Sequence, residues 1–261
     1  MKLAPIDWIL IIVFFSIVLA IGIIVSKKSS KNTSEYFLSN RSLPWRILGF
    51  SMVATTFSTE TRTCPVGSAI YTTEVLMSYS IFDRRLDLKP QGTYGSDPAL
   101  LITCPNGFVD YKDSYSEEEL IKLTELVNSR AYQRSRSGNN EYYLLAKILE
   151  HMGSGKLTTA WHYLNASWMA ENNHNRSQYV RYLNLSIKDM IEAKSEIEIG
   201  FTPRFLIAEL NRLKGDFEEA LFYLDDLEAN WYAEGYELVL IEFERGLIEL
   251  RNSKPMSQPE A

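Results

Sequence analysis

The sequence predicts a mainly α protein in three parts: an N-terminal transmembrane helix, a small β-rich segment holding both cysteines, and a C-terminal array of paired helices. Three observations predict it. An uncharged apolar run fills Trp8 to Val25; β-branched and aromatic clusters bounded by Gly and Pro occupy residues 69 to 111; and from Ser116 onward apolar residues recur at helical spacing. The expected boundaries are residues 1–61, 62–115 and 116–261.

Charge divides along the first of these boundaries. Residues 1 to 59 hold six basic and two acidic side chains, whereas the rest of the chain holds 21 basic and 31 acidic ones. Phosphate binding needs clustered Lys and Arg, and the acidic body has no such cluster, so nucleic acid is excluded as the expected partner. Two cysteines among 261 residues exclude a disulfide-dense scaffold, and 12% aromatic residues exclude a disordered chain.

The run from Trp8 to Val25 has one Ser, one Gly and no charge. As a helix it would rise about 27 Å, close to the roughly 30 Å of a bilayer's hydrocarbon core. Lys27, Lys28, Lys31, Arg41 and Arg46 follow it, and Lys2 precedes it opposed by Asp7. This asymmetry predicts an N-terminus outside the inner (cytoplasmic) membrane and a body in the cytoplasm, with the lipid bilayer as a partner. A cleaved signal peptide is the competing reading; it needs a basic leader and a small-residue cleavage motif that the segment lacks.

Residues 34 to 61, SEYFLSNRSLPWRILGFSMVATTFSTET, resemble the opening of the sodium:solute symporter family at Tyr36, Phe37, Leu38, Arg41, Ser42, Leu43, Pro44, Trp45, Gly49, Ser51, Ala54, Thr55, Phe57 and Ser58. The resemblance covers residues 5 to 61 and implies a helix broken near Ala54 and Phe57, whose freed carbonyls form half of a sodium site. Nothing beyond residue 61 is apolar for eighteen residues, so transport requires other chains to complete the site.

The β-leaning runs are residues 69–76, 100–104 and 107–111, with turn signals at Pro90 to Gly92, Gly95 to Pro98 and Pro105 to Gly107. Cys64-Pro65-Val66-Gly67 and Cys104-Pro105-Asn106-Gly107 look like two halves of one site. A zinc knuckle places two thiolates on one tight turn, and two knuckles make a tetrahedron of four thiolates. Here each knuckle is one cysteine short, and His151, His162 and His174 lie downstream in expected helices. The expectation is therefore no cofactor, with zinc at Cys64 and Cys104 as one alternative and a disulfide between them as another. TCPVG, RRLD at 84–87, TYGSDPALLITCPNGFVDYKDSY at 93–115 and the helical tail resemble a bacterial domain family of unknown function, number 2225, which joins a CPxCG zinc ribbon to a helical-repeat tail.

Ser116 with Glu119 forms a capping box, and Leu120, Leu123, Val127 and Ala131 follow at helical spacing. Arg134 to Asn140 reads as a linker. Helices are expected at about 141–152, 156–171, 175–195, 203–214, 217–229 and 234–251. Residues 205 to 227 match a tetratricopeptide repeat: Ala208 and Ala220 allow close approach, Gly215 and Asp216 make the turn, Asp216 and Glu219 cap the second helix, and Phe217 and Leu224 pack across the pair. Stacked repeats leave a concave groove, for which Asn211 and Tyr223 are candidate contacts; a closed bundle with all aromatics in the core is the alternative.

No grouping of nucleophile, acid and base is legible. Gly153-Ser154-Gly155-Lys156 lacks the first Gly and the Ser or Thr of a phosphate loop. The expected function is that of a membrane-anchored, non-enzymatic scaffold that docks a protein or peptide; a truncated symporter completed by other chains is the alternative.

Overall fold

A computed structural model describes residues 12–16, 19, 57–76, 78–92, 98–196 and 200–259. Contacts divide the chain into Met1–Thr55 and Thr56–Ala261. In the first unit residues 12–16 are helical, and the Ser16 hydroxyl donates to the Ile12 carbonyl at 2.7 Å. The rest of the expected span, including Trp8 and Val25, lies outside the described residues. No helix among those described is long and apolar enough to cross a membrane. The expected transmembrane helix, and with it the inner-membrane location with an outside N-terminus, is corrected accordingly.

In the second unit, three antiparallel hairpins precede eight helices among the described residues. Strands β1 (Phe57–Thr63) and β2 (Ile70–Leu76) pair from Phe57↔Leu76 to Thr63↔Ile70. Phe57 and Ser58, expected in a broken helix, are thus strand residues, as the Thr-rich alternation FSTETRT favours. Strands β3 (Ile81–Arg84) and β4 (Pro90–Gly92) form the second hairpin, so Pro90 to Gly92 is a short edge strand where a turn was expected. Strands β5 (Ile102–Thr103) and β6 (Val109–Asp110) form the third.

The outer hairpins end in like turns. Cys64 and Cys104 are each buried, and each donates its amide across its turn, to the Ala69 and Phe108 carbonyls at 2.8 Å. The cysteines are joined by a disulfide with Cα atoms 5.8 Å apart. Asn106 adds a second latch: Nδ2 donates to the Val66 carbonyl at 2.7 Å while Oδ1 accepts from the Phe108 amide at 3.0 Å. Among the described residues no group of three or more His, Cys, Asp or Glu side chains is placed to hold a metal ion.

Helix α1 (Glu117–Asn128) opens on the expected capping box: the Glu119 amide donates to Ser116 Oγ at 3.2 Å, and the Ser116 amide to Glu119 Oε2 at 2.8 Å. Helix α2 (Arg130–Arg136) runs into the expected linker because the Cys104 turn gives it a surface to cover. Tyr132 donates to the Gly107 carbonyl, Gln133 to the Asn106 carbonyl and Arg136 to the Pro105 carbonyl, at 2.8, 3.0 and 2.8 Å. Gly107 is left-handed (φ 88°), a conformation that calls for glycine, and the Arg136 side chain lies over it, 2.6 Å from where a Cβ would stand.

Helices α3 (Glu141–His151), α4 (Lys156–Asn172), α5 (Arg176–Glu196), α6 (Phe201–Lys214), α7 (Phe217–Asn230) and α8 (Tyr236–Glu249) each pack on their sequence neighbours. Small residues Ala160, Ala166 and Ala170 on α4 are fully or almost fully buried and let the flanking helices approach. Gly215 closes α6 in the left-handed conformation (φ 94°), as its place in the repeat predicts. Asp216, expected to cap α7, makes no side-chain cap bond and pairs with Lys214 at 2.8 Å instead. Helix α6 is buried nearly all round: Leu206, Ile207, Leu210 and Leu213 join a core shared with α3 to α5, while Phe201, Phe205 and Ala208 join a second core with α7 and α8.

The disulfide closes a segment of 40 residues that contains the second hairpin. Cutting it with reductant, or by Cys104→Ser, should lower unfolding free energy by about 4 kcal/mol in urea titration. A non-reducing peptide map that shows two free thiols, with no change in stability on adding reductant, would contradict the linkage.

Candidate functional site

Between β3 and β4 the chain makes a tight turn, Arg85 to Lys89, closed by Arg85 N–H to the Lys89 carbonyl at 3.0 Å and Leu88 N–H to the Arg85 carbonyl at 2.9 Å. Leu88 is held left-handed (φ 66°), which costs a branched residue about 1–2 kcal/mol. The alternation of the turn explains why that cost is met. Leu86, fully buried, joins the second core with α6, α7 and α8; Leu88 packs against the first; and Asp87, also fully buried, points between them.

Asp87 is saturated with donors. Its Oδ1 accepts from Arg85 Nε at 3.0 Å and the Lys89 amide at 3.3 Å, and its Oδ2 accepts from Arg85 Nη2 at 2.7 Å and Trp168 Nε1 at 3.0 Å. The two-pronged Arg85 contact is the strong geometry for a carboxylate. The remaining arm of Arg85 and the Lys89 ammonium converge on Glu171 Oε2 at 2.8 and 2.9 Å, and Lys89 also donates to Asn172 Oδ1 at 2.5 Å. Two cations thus face two anions. Burial alone would lower the Arg85 pKa, but Asp87 and Glu171 outweigh it and raise it. Burial likewise works against the Glu171 carboxylate, and Arg85 with Lys89 overcomes it, holding that carboxyl below its ordinary range.

A second ionic cluster lies on α6 and α8. Arg212 is fully buried; Nε donates to Glu209 Oε2 at 2.9 Å and to both Glu244 oxygens at 3.0 Å, and Nη2 donates to Glu209 Oε2 at 2.6 Å. Two carboxyls around one guanidinium leave one negative charge too many. Burial, then the Glu244 charge, push the Glu209 carboxyl well above its ordinary range against the pull of Arg212. A proton on the Glu209 carboxyl, donated to Glu244, satisfies both groups.

The free arm of Arg212, Nη1, donates to the carbonyls of Asn252 at 2.5 Å and Lys254 at 2.9 Å. From there the C-terminal segment runs antiparallel to the outer edge of β3. The Leu86 amide donates to the Met256 carbonyl at 2.9 Å and the Gln258 amide to the Arg84 carbonyl at 3.0 Å. The turn therefore engages α4 through Trp168 and Glu171 and, through Leu86, shares a core with α6, α7 and α8. A cleft of about 750 Å³ opens beside it, walled by Arg85, Lys89, Glu171, Tyr142 and residues 98–101.

Of the sequence-predicted sites, Cys64 and Cys104 are brought together as a disulfide. Asn211 is buried on α6, where Nδ2 donates to the Ile207 carbonyl at 2.7 Å and Oδ1 accepts from Lys214 at 3.0 Å. Tyr223 is half-buried on α7 and packs against both cores. His162 stacks on Tyr142 at 6.2 Å between ring centres, and burial lowers its pKa. Sequence reasoning misses Asp87, Glu171, Glu209, Arg212 and Glu244. The one available signal lies on α6, where Phe205, Leu206, Ile207, Leu210 and Leu213 leave no solvent face for Glu209 and Arg212. Comparison with protein-family models, curated proteins and solved structures finds no match to the chain.

In the unfolded chain Glu209 titrates in the ordinary carboxylate range; folded, it keeps its proton to well above that range. Between the two, the folded state binds a proton that the unfolded state lacks, so this group's stabilisation is lost as pH rises. Glu209→Gln, neutral at every pH, should melt at a temperature nearer to, and then above, that of the parent as pH rises from 4 to 8. A parallel pair of melting curves across that window would contradict a protonated Glu209.

Proposed function

We propose that the chain is a non-enzymatic helical-repeat interaction protein whose ligand is an extended protein segment. What supports the reading is the seating of the Arg85–Lys89 turn. The array accepts a strand-flanked turn in cis through Trp168 and Glu171 on α4 and an apolar slot around Leu86 that α6, α7 and α8 share. Aromatic side chains, Arg–carboxylate pairs and apolar slots are the groups that carry binding energy at protein interfaces. Stacked helix pairs present such a surface because no single pair can bury its own apolar face.

Selection of a displayed peptide library against the full chain tests this. The expected result is a set of peptides with a shared pattern of apolar residues at alternate positions, competing with one another for one site. Enrichment with no pattern above the unselected library would contradict the reading.

A further inference from the structure

We propose that the outer edge of β3, with the apolar slot beside Leu86, is a docking seat for an extended peptide, and that residues 252–259 of this chain occupy it in cis. The proposal rests on the interaction reading and names its site and the chemistry of its ligand.

The segment binds as an added strand. Besides the bonds linking Met256 to Leu86 and Gln258 to Arg84, Ser257 bridges Arg85 in antiparallel register. Burial alternates with the strand period: Met256 is half-buried against the second core, Ser257 is exposed, and Gln258 is half-buried with its Nε2 donating to the Arg85 carbonyl at 3.3 Å. The seat holds the segment mostly by main-chain atoms. Arg212 takes the carbonyls of Asn252 and Lys254, and the Tyr236 hydroxyl donates to the Pro259 carbonyl at 2.8 Å. A side-chain contact at Ser257 Oγ, from Gln91 Nε2 at 3.2 Å, lies at the solvent edge.

That division of labour is the one by which strand addition recognises peptides: the backbone supplies affinity and alternate side-chain pockets supply specificity. The fitting partner is an extended segment with a long unbranched apolar residue, a small or polar spacer, then glutamine and proline. Proline at 255 keeps Lys254 extended as it approaches the seat. The segment also has the features of a part that opens locally. Ser253, Lys254, Pro255 and Ser257 are exposed, and it has no helix or paired strand of its own beyond the β3 edge. Being tethered, it competes at an effective concentration on the order of millimolar, so the intact chain should bind a free peptide weakly.

The test titrates a fluorescent peptide of sequence NSKPMSQP, residues 252–259, into three full-length proteins: the parent, Met256→Asp, which removes the apolar anchor, and Gln258→Pro, which removes the amide donated to Arg84. The expected result is at least tenfold tighter binding of the peptide by either folded variant than by the parent, and no binding of a peptide carrying the Met256→Asp change. Equal binding by parent and variants overturns the proposal. So does loss of cooperative melting in both variants, which would make the segment a structural strap, and so does a concentration-dependent dimer of the variants that excludes the peptide, which would make a second copy the occupant. If library-selected peptides bind the chain without being displaced by NSKPMSQP, this seat fails while the interaction reading stands.

Discussion

A carboxylate with no exposed surface must find every hydrogen bond inside the protein, and Asp87 finds its donors in its own turn and on α4. That requirement orients the second hairpin. Arg85 must fold back over the turn to reach both oxygens, Lys89 must present its amide, and Trp168 must turn its indole N–H inward. Once these are fixed, Leu86 and Leu88 are committed to opposite cores. Removing one partner of such a buried pair typically costs about 3–5 kcal/mol, which is large against the stability of a domain. The hairpin is thus a fastened part of the helical array, and the left-handed backbone at Leu88 is a local strain offset by those bonds.

Arg212 extends the same logic to the C-terminal side. Its guanidinium has more donors than Glu209 and Glu244 use, and the surplus arm reaches the main chain of residues 252 and 254. The strength of the two attachments differs. Trp168 and Glu171 grip side-chain charges of the turn, whereas the terminal segment is gripped mainly through its backbone carbonyls, by the buried Arg212 and the Leu86 amide among others.

Much of the helical array is legible in the sequence because its signals are local. The capping box at Ser116 and Glu119, the glycine at 215 and the small residues Ala160, Ala208 and Ala220 depend on neighbours three or four positions away. Pairing between distant segments is not legible. Arg134 to Asn140 looks like a linker because the Cys104 turn that α2 covers lies some thirty residues upstream. Trp168 looks like packing because its acceptor is 81 residues away. Glu209 and Arg212 look like an ordinary helical ion pair until Glu244 arrives from α8. The apolar run from Trp8 to Val25 suggests a span through length and hydropathy alone, and no described helix is both long and apolar enough to cross a membrane. The two cysteine turns read as halves of one site, and they do meet, joined by a disulfide.

Seating of the Arg85–Lys89 turn in the helical array through Asp87 is the claim on which the rest depends. A double-mutant cycle on Asp87→Ala and Trp168→Phe measures that contact by urea unfolding, because the Arg85 and Lys89 bonds that Asp87→Ala also removes are lost in both Asp87 variants and cancel, leaving the coupling between the two side chains. A coupling of about 1.5–3 kcal/mol, the range for a hydrogen bond to a charged group, is the predicted result. Additive effects of the two substitutions would contradict it and detach the hairpin from the array.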